Sequence, residues 1–389
     1  HGREGGVTSG NISAPGGKCN APRGLIAPAT CKSYFVAVET PAKALILRLS
    51  SIGDIVLASP LVRVLRARFP KAQIDFVTKT EYEDLVRSNQ NLNFTYGYDP
   101  RTGYAGLREL KAKLASERYD LIVDIHNSLR SRYLRSIRGV AHTVVVDKRV
   151  LERTALVKFK KNLYREVVPV ADRYIEPLEP WGIVNDGKGL ELHIPDEVLF
   201  GVNGRMARLQ LHRFEAAFGL CPGARHLTKR WPEDRYAEVG IRLVRERDAA
   251  ILLFGGNGDR AVTAKVAAAI SAATSPERVI DLAGQLTLLE SAAALEYVDA
   301  VVTNDSGLMH IAAARQKPIV AVFGSTVREF GFFPVHSDAT VLEVDGLPCR
   351  PCSHIGKASC PEGHLRCLVD TTVDQVTRAV LDRAIAAAS

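Results

Sequence analysis

Several features that would assign this chain to a functional class at once are missing from its sequence. No stretch approaches the ~18 consecutive apolar residues of a membrane-spanning helix, and no dense Lys/Arg block accompanies the net charge of +8. No D-x-D triplet offers the paired carboxylates with which a divalent cation often bridges a nucleotide diphosphate. No Walker-type G-K-[ST] follows the Gly-rich turns. A basic chain still suggests an anionic partner, and of nucleic acid, nucleotide and an anionic membrane face, nucleic acid is the least favoured.

Length and composition indicate an ordinary globular protein of two domains. The chain has 389 residues, 46% of them hydrophobic and 24% charged, and that length exceeds what one core usually supports. Residues 1–40 differ, because "HGREGGVTSGNISAPGGKCNAPRG" is rich in Gly, Pro and Ser. We expect this segment to be disordered. It lacks the apolar core of a secretory signal, so we expect a cytoplasmic protein.

Short apolar runs alternate with helical patterns along the rest of the chain. "ALILRL", "QIDFVTK" and "LIVDIH" read as buried strands, and the pattern restarts after residue 210 with "FGLCPGA", "AAILLFGG", "AVVTND" and "PIVAVFGS". Alternation of this kind predicts parallel sheets with right-handed crossovers. The predicted fold class is therefore α/β, with two doubly wound, Rossmann-like domains at residues 41–210 and 211–389 that face a cleft. Ligands bind beyond the carboxyl ends of such strands.

One carboxylate stands where a strand turns into a helix, in "RLSSIGDIVLASP". Asp54 in this position suits a helix cap or a first-turn acid. It also suits a general base that faces the cleft. Spacing alone favours the cap, and the two interpretations stay open at this point.

The second half has three strand-to-helix turns suited to a phosphate. In "TNDSGLMH", Ser306 can cap a helix, and Gly307 lets an anion approach the free N–H groups at its start. "FGGNGDR", which contains Gly255 and Gly256, is a Gly-rich turn without the dinucleotide fingerprint. "HLTKRWPE" places Lys229 and Arg230 at the same sheet edge, where they could neutralise phosphate charge. Each motif also has an alternative without a ligand. The first could be a plain capped helix, the second a tight turn, and the third a pair of charges that faces solvent.

Four cysteines cluster near the C-terminus, at Cys349, Cys352, Cys360 and Cys367. The spacing C-x2-C-x7-C-x6-C begins as a zinc knuckle does, but its second pair is not closely spaced. A structural zinc and reduced thiols in a packed loop both remain open. Disulfides are not expected in a reducing compartment.

Taken together, several stretches resemble one family. "ILRLSSIGDIVLASPLVRVLRARFP", "DLIVDIHNSLRSRYL", "PGARHLTKRWPEDRYAEV", "LLFGGNGD", "VVTNDSGLMHIAAA" and "PIVAVFGST" are similar, in this order, to the lipopolysaccharide heptosyltransferases of glycosyltransferase family 9. The resemblance runs from about Ala42 to about Ala379. It implies the two-domain GT-B fold and an ADP-heptose donor in the C-terminal domain. It also implies a lipid A-core acceptor bearing Kdo or heptose on the N-terminal domain.

The resemblance also implies an inverting mechanism that needs no metal or other cofactor. Asp54 matches the proposed base, and Lys229 matches a phosphate-contacting lysine. The other implied donor-binding residues are Asp305, Ser306, Gly307, Leu308, Met309, His310, Gly255, Gly256, Thr228 and Arg230. The implied acceptor-binding residues are Ser51, Gly53, Arg130 and Arg132. The two arginines could equally be exposed surface charges.

The basic charge suits transient contact with the inner leaflet of the inner membrane, with no nucleic-acid partner. Two other functions stay open. One is a different GT-B nucleotide-sugar enzyme, such as a transferase of another sugar or a 2-epimerase. The other is a sugar-nucleotide binder without activity.

Overall fold

The computed structural model describes residues 40–334 and 336–388. The segment predicted to be disordered therefore lies, apart from Thr40, outside the described residues. Across the described ranges no helix is both long and apolar enough to cross a bilayer.

The first half of the described chain builds a parallel sheet of five strands. Its spatial order is β3-β2-β1-β4-β5. The strand in the middle is buried along most of its length, as expected for a strand covered on both faces. The strands are β1 Lys43–Leu47, β2 Gln73–Lys79, β3 Phe94–Tyr98, β4 Leu121–Asp124 and β5 His142–Val145.

The second half builds a parallel sheet of six strands in the order β11-β10-β9-β6-β7-β8. In both sheets the order reverses beside the first strand of the half, which is the doubly wound arrangement expected from the sequence. The strands are β6 Ala216–Cys221, β7 Ala249–Leu253, β8 Val279–Asp281, β9 Ala300–Asn304, β10 Ile319–Phe323 and β11 Ala339–Glu343.

Helices follow most strands and cover the faces of the two sheets. They are α1 Ile52–Val56, α2 Ser59–Arg68, α3 Asp84–Arg87, α4 Gly103–Ser116, α5 Leu129–Arg135, α6 Val150–Phe159, α7 Val170–Ile175, α8 Asp196–Arg208, α9 Glu233–Arg247, α10 Arg260–Ala273, α11 Leu288–Ala294, α12 Gly307–Ala314, α13 Arg366–Val369 and α14 Val373–Ala388.

One helix departs from the predicted division of the chain. The sequence pattern gave no helix at α8, and the stretch before residue 210 was assigned to the first domain. In the structure α8 packs on α11 of the second half, and the Tyr297 hydroxyl donates a 2.7 Å hydrogen bond to Asn203 on α8. By its contacts α8 lies with the second sheet, while the boundary near 210 stays a prediction.

The two halves meet through closely packed first turns of α1 and α12. A Cβ added to Gly307 would lie 2.9 Å from Ile52 Cγ2, and one added to Gly53 would lie 2.6 Å from His310 Cδ2. Both distances are too short for any residue larger than glycine to fit without a shift. The largest hydrophobic cluster is also shared, since it contains Ile46 of β1 and Met309 of α12.

We expect Gly307→Ala to destabilise the fold, because its methyl group would press on Ile52. The cost of overpacking is about 1–3 kcal/mol, measured as the free energy of unfolding in urea. Replacing Ile52 with Ala removes the closest atom, so the double variant should recover part of the loss. Gly204→Ala is the control, because it lies inside α8 with open space around it. It should stabilise by about 0.5–1 kcal/mol. Additive effects of Gly307→Ala and Ile52→Ala would contradict the contact.

Candidate active site

The first component of the site forms where β1 ends and α1 begins. Arg48 lies just beyond β1, is 8% exposed, and donates a 2.6 Å hydrogen bond to the carbonyl of Ile125. Its guanidinium also lies 2.5 Å from Asp54 Oδ1. The carboxylate predicted at this strand-to-helix turn is therefore held by an arginine of the same turn.

Four donors surround the carboxylate of Asp54. Besides Arg48, the Tyr174 hydroxyl donates to Oδ1 at 3.1 Å. The Ser51 amide and hydroxyl donate to Oδ2 at 3.1 and 2.8 Å. Burial raises the pKa of Asp54, but the charge of Arg48 and the Ser51 hydrogen bonds outweigh burial and bring it below its usual value. The group is therefore ionised at neutral pH.

The second component lies at the end of β9 and the start of α12. Asp305 is 6% exposed, and its Oδ2 accepts from Lys229 Nζ at 2.6 Å and from the Thr326 hydroxyl at 2.7 Å. Lys229 is thus ion-paired to the loop that precedes α12. Because an ammonium has three N–H donors, pairing with one carboxylate leaves others for a ligand.

His310 lies between the two components. It is 3% exposed, and its Nδ1 is buried without a hydrogen-bond partner among the described residues. Desolvation lowers its pKa to about 4, against the opposing influence of Asp305 and Asp54. Both carboxylates are close enough to act on this ring, so the site of Asp54 and the site of Asp305 are neighbours. The ring itself is neutral at physiological pH.

A cavity of about 230 Å³ opens beside Asp54. The first half contributes basic and aromatic side chains, and the second half closes it with Phe330, Phe332, His354 and Ile355. The lining from the first half consists of Arg48, Asp54, Ile125, Val146, Asp147, Lys148, Arg153, Tyr164, Val170, Arg173 and Tyr174.

Positive charge exceeds negative charge in this cavity. Burial, together with the neighbouring Arg48 and Arg153, lowers the pKa of Lys148. Burial and the cations Arg153, Lys229 and Lys148 lower the pKa of His354 to about 4. Crowded cations depress one another in this way when no anion is bound, so the cavity is suited to an anionic ligand.

The sequence prediction missed most of these cavity residues. Lys148 lies between β5 and α6, Arg153 lies on α6, and Arg173 and Tyr174 lie on α7. The sequence pattern in this part of the chain does not mark them as residues of a site. Arg48 could have been found, since it follows a buried strand and stands six residues before Asp54.

Other predicted residues lie where their side chains do not face the cavity. Arg130 and Arg132 are exposed on α5, which agrees with the surface alternative. Met309 is fully buried in the shared core, because its position on α12 faces the sheet. Its predicted side-chain contact with the donor is therefore corrected.

Two residues of the "HLTKRW" turn are bound to protein rather than open to a ligand. Thr228 is 1% exposed, and its hydroxyl accepts from Ser325 at 3.0 Å and from the Lys357 amide at 2.8 Å. Arg230 donates to the carbonyl of Ala224 at 2.5 Å. Direct donor contact by these two side chains is thus corrected to a role in holding the turn around Lys229.

Ligand binding at the start of α12 and at the Gly-rich turn stays a prediction. Ser306 occupies the N-cap position without a side-chain capping hydrogen bond, contrary to the expected cap, and its hydroxyl lies 3.4 Å from that of Thr303. Leu308 is half-buried. The amide of exposed Gly256 donates to Asp259 at 2.9 Å, and a Cβ on Gly255 would lie 2.7 Å from Asp259 Cβ.

The four clustered cysteines do not form the zinc site that their spacing allowed. Within the described residues no group of three or more His, Cys, Asp or Glu side chains is placed to hold a metal ion. Cys367 instead packs in a hydrophobic cluster of the second half, where burial raises its pKa to about 11. Cys349 Sγ lies 3.9 Å from His364 Nε2. The structure therefore favours reduced thiols, and the zinc prediction is corrected.

Two doubly wound parallel sheets in tandem are the arrangement of the GT-B fold. Solved structures agree on the fold. Glycosyltransferase family 9 from Veillonella parvula superposes with a TM-score of 0.74 at 23% identity, covering 89% of this chain and 98% of that one. Escherichia coli ADP-heptose lps heptosyltransferase II superposes with a TM-score of 0.68 at 24% identity. This match covers 89% of this chain and 100% of that one.

The chain belongs to glycosyltransferase family 9 (heptosyltransferase), which it matches over residues 107–362. It is 27% identical to lipopolysaccharide heptosyltransferase 2 of Escherichia coli K12, over 86% of this chain and 96% of the relative. It is 28% identical to lipooligosaccharide heptosyltransferase 2 of Haemophilus ducreyi, over 86% and 97%.

We expect His310 to make the protein less stable in acid. Its folded pKa of about 4 lies below the ~6.5 of an unfolded histidine. Between these values the unfolded state binds the proton more readily, so stability is full above pH 6.5 and falls toward pH 4. The slope from one group is at most about 1.4 kcal/mol per pH unit.

Urea unfolding at several pH values from 7.5 to 4.5 measures this dependence. His310→Asn should show a shallower slope than the wild type, whatever its stability at pH 7.5. The exposed His212 is the matched control, and His212→Asn should keep the wild-type slope. Equal slopes for all three proteins would contradict the assignment.

Proposed function

We propose that this glycosyltransferase transfers heptose from ADP-heptose to a sugar of the lipopolysaccharide inner core, with inversion and without a metal ion. The names of its curated relatives support the sugar and the acceptor. One observation carries the mechanism. The turn that holds Asp54 and the start of α12, where Gly307 stands, pack against each other. A base and a diphosphate site would thus be neighbours across the junction of the halves.

Asp54 acts as the general base in this proposal. The acceptor hydroxyl attacks the anomeric carbon, the bond from that carbon to the ADP oxygen breaks, and the hydroxyl proton passes to the carboxylate. A single displacement inverts the anomeric configuration. The lowered pKa of Asp54 keeps it ionised and ready to accept the proton.

One of the four donors to Asp54 must give way before a hydroxyl can reach it. A carboxylate has about four lone-pair sites, and Arg48, Tyr174 and Ser51 together supply four donors. Ser51 is exposed, and its hydroxyl turns by rotation about one bond. We assign the position of Ser51 Oγ to the incoming acceptor hydroxyl, while Arg48 and Tyr174 keep the carboxylate in place.

Charge on the departing diphosphate is met from the second half. Lys229 supplies a cation that Asp305 holds in position, and the Thr326 hydroxyl in turn donates to Asp305. The free N–H groups at the start of α12 supply the donors. Fixed donors aimed at developing charge stabilise it without reorganisation. Because Gly307 has no side chain, a diphosphate could come close to the backbone N–H groups at this point.

The basic cavity is assigned to the acceptor. Lys148, Arg153 and Arg173 line it beside Asp54, and Kdo carries a carboxylate that these cations would pair with. The acceptor side therefore shifts from Arg130 and Arg132 to the chain between β5 and α7. Because such an acceptor is lipid-linked, we also place the enzyme at the inner face of the inner membrane, without nucleic acid.

Replacing the base tests this mechanism. Asp54→Asn should lower kcat about 10²–10⁴-fold and leave the Kd for ADP-heptose within a few-fold, because Asp54 lies on the acceptor side. Transfer to truncated core acceptors, product anomeric configuration by NMR and calorimetric donor binding are the measurements. A chelator should change nothing.

Asp84→Asn is the matched control, since Asp84 is also a first-turn acid but is 74% exposed on α3. It should keep the wild-type kcat. If Asp54→Asn turned over as fast as the wild type, Asp54 would not be the general base and would serve only as a helix cap. Donor binding without turnover by the wild type on any core acceptor would favour the inactive binder. A changed sugar nucleotide in the absence of acceptor would favour an epimerase.

Removal of Arg48 should change the pH dependence of catalysis. Without that cation, burial of Asp54 is no longer offset, so its pKa rises and the acid limb of the kcat/KM profile moves to higher pH in Arg48→Met. Arg48→Lys retains a positive charge and should shift the limb less. An unmoved limb in Arg48→Met would mean that Asp54 does not set it.

A further inference from the structure

Exposed apolar side chains concentrate on one stretch beside the cavity. Five large hydrophobic residues within 150–167 are between 48% and 80% exposed, which is unusual for side chains of this type. They are Val150 at 49%, Leu151 at 80%, Phe159 at 68%, Leu163 at 56% and Val167 at 48%. We call this stretch, α6 and the chain to residue 167, the α6 surface.

Helical spacing places the exposed residues of α6 on one side. Leu151 and Phe159 are eight residues apart, about two turns and ~12 Å along the axis. Lys158 lies between them at the same face, seven residues from Leu151, and is exposed. Leu156, in contrast, is buried. The helix therefore buries Leu156 and presents the apolar Leu151 and Phe159 and the basic Lys158 outward.

Basic residues dominate the same stretch. Residues 150–167 contain five Lys or Arg and two acidic residues, Glu152 and Glu166. Lys160 donates to the carbonyls of Cys349 and Pro351. Of the other basic residues of this stretch, Lys158, Lys161 and Arg165 are exposed and take part in none of the ion pairs of the described residues.

This charge decides what the α6 surface can bind. A second copy would bring the same cations face to face. Residues 1–39 of the chain hold four basic and two acidic side chains, so they offer no complementary charge. An anionic lipid bilayer offers both an apolar layer for Leu151 and Phe159 and negative headgroups for the lysines.

We propose that the α6 surface docks the enzyme onto an anionic membrane, with Leu151 and Phe159 inserted at the headgroup level. Arg153 and Tyr164 from the same stretch line the cavity, and the exposed Ile355 lies at it too. A docked α6 surface would hold the cavity mouth close to the bilayer. This orientation is useful to the enzyme only if the acceptor is lipid-linked, and in that respect it rests on the proposed function.

Vesicle binding tests the docking surface without any turnover. Full-length protein is sedimented with vesicles of phosphatidylglycerol and phosphatidylethanolamine, and with vesicles of phosphatidylcholine alone. We expect binding to the anionic vesicles only, weakened by salt. Leu151→Ser/Phe159→Ser should bind at least about tenfold more weakly, because two apolar side chains no longer insert. Lys158→Gln/Lys161→Gln should also lose on the order of tenfold or more.

Phe200→Ser is the matched control. Phe200 is 82% exposed but stands on α8, whose first turn holds Asp196 and Glu197, and its loss should not change vesicle binding. Equal binding by Leu151→Ser/Phe159→Ser and the wild type would overturn the proposal, as would equal weakening by Phe200→Ser. A wild type that ignores anionic vesicles, or a dimer that this double variant converts to monomer with vesicle binding unchanged, would overturn it too.

Turnover separates this inference from the proposed function. On a delipidated, water-dispersed acceptor Leu151→Ser/Phe159→Ser should match the wild type, whereas on vesicle-embedded acceptor it should be slower. If no protein transfers heptose to either acceptor, the proposed function fails while the vesicle result stands on its own.

Discussion

The glycine contact between α1 and α12 is the constraint on which the rest of the site depends. A Cβ at Gly53 or Gly307 would stand less than 3 Å from atoms of the opposite half. The backbone of each glycine is therefore packed against a side chain of the other half, with no space for a larger residue. This closeness brings the first turn of one half and the helix start of the other to a common place. Two sequence motifs more than 250 residues apart therefore lie side by side.

Each half neutralises its own buried charges before a ligand arrives. Asp54 is paired with Arg48, and Asp305 with Lys229, as expected when an unpaired buried charge costs several kcal/mol. The cavity is different, because Lys148 and Arg153 line it with only Asp54 and Asp147 to oppose four cations. Burial and, after it, the neighbouring cations lower the pKa values of Lys148 and His354. An anion that enters would offset the excess of positive charge, so the electrostatics favour an acidic ligand over a neutral sugar of the same size.

Sequence reasoning reached the parts of the site that local patterns determine. Asp305 follows β9 directly, Asp54 lies on the helix that follows β1, and Lys229 lies in the connection from β6 to α9. The carboxyl ends of parallel strands lie at one edge. Tyr174 and Arg153 could not be found in this way, since α6 and α7 do not follow a buried strand directly and only the tertiary fold brings them to the cavity. Helix α8 was missed for a related reason. Polar and apolar residues are mixed on its exposed side, so the sequence shows no clear helical pattern. Only its packing on α11 in the folded structure identifies it as part of the second half. Met309 shows the opposite error, because a motif position was taken for a contact although helix geometry points the side chain inward.

The two interpretations of Asp54 that the sequence left open are both part of one arrangement. Its Oδ2 accepts from the Ser51 amide and so closes the first turn of α1, while Oδ1 meets Arg48 and Tyr174 at the cavity. A cap hydrogen bond fixes the rotamer of the side chain, and a fixed rotamer is what a general base needs in order to meet a hydroxyl at one geometry. A base on a flexible side chain would lose that orientation. The cap would therefore orient the proposed base, and helix formation and proton transfer would use the same carboxylate.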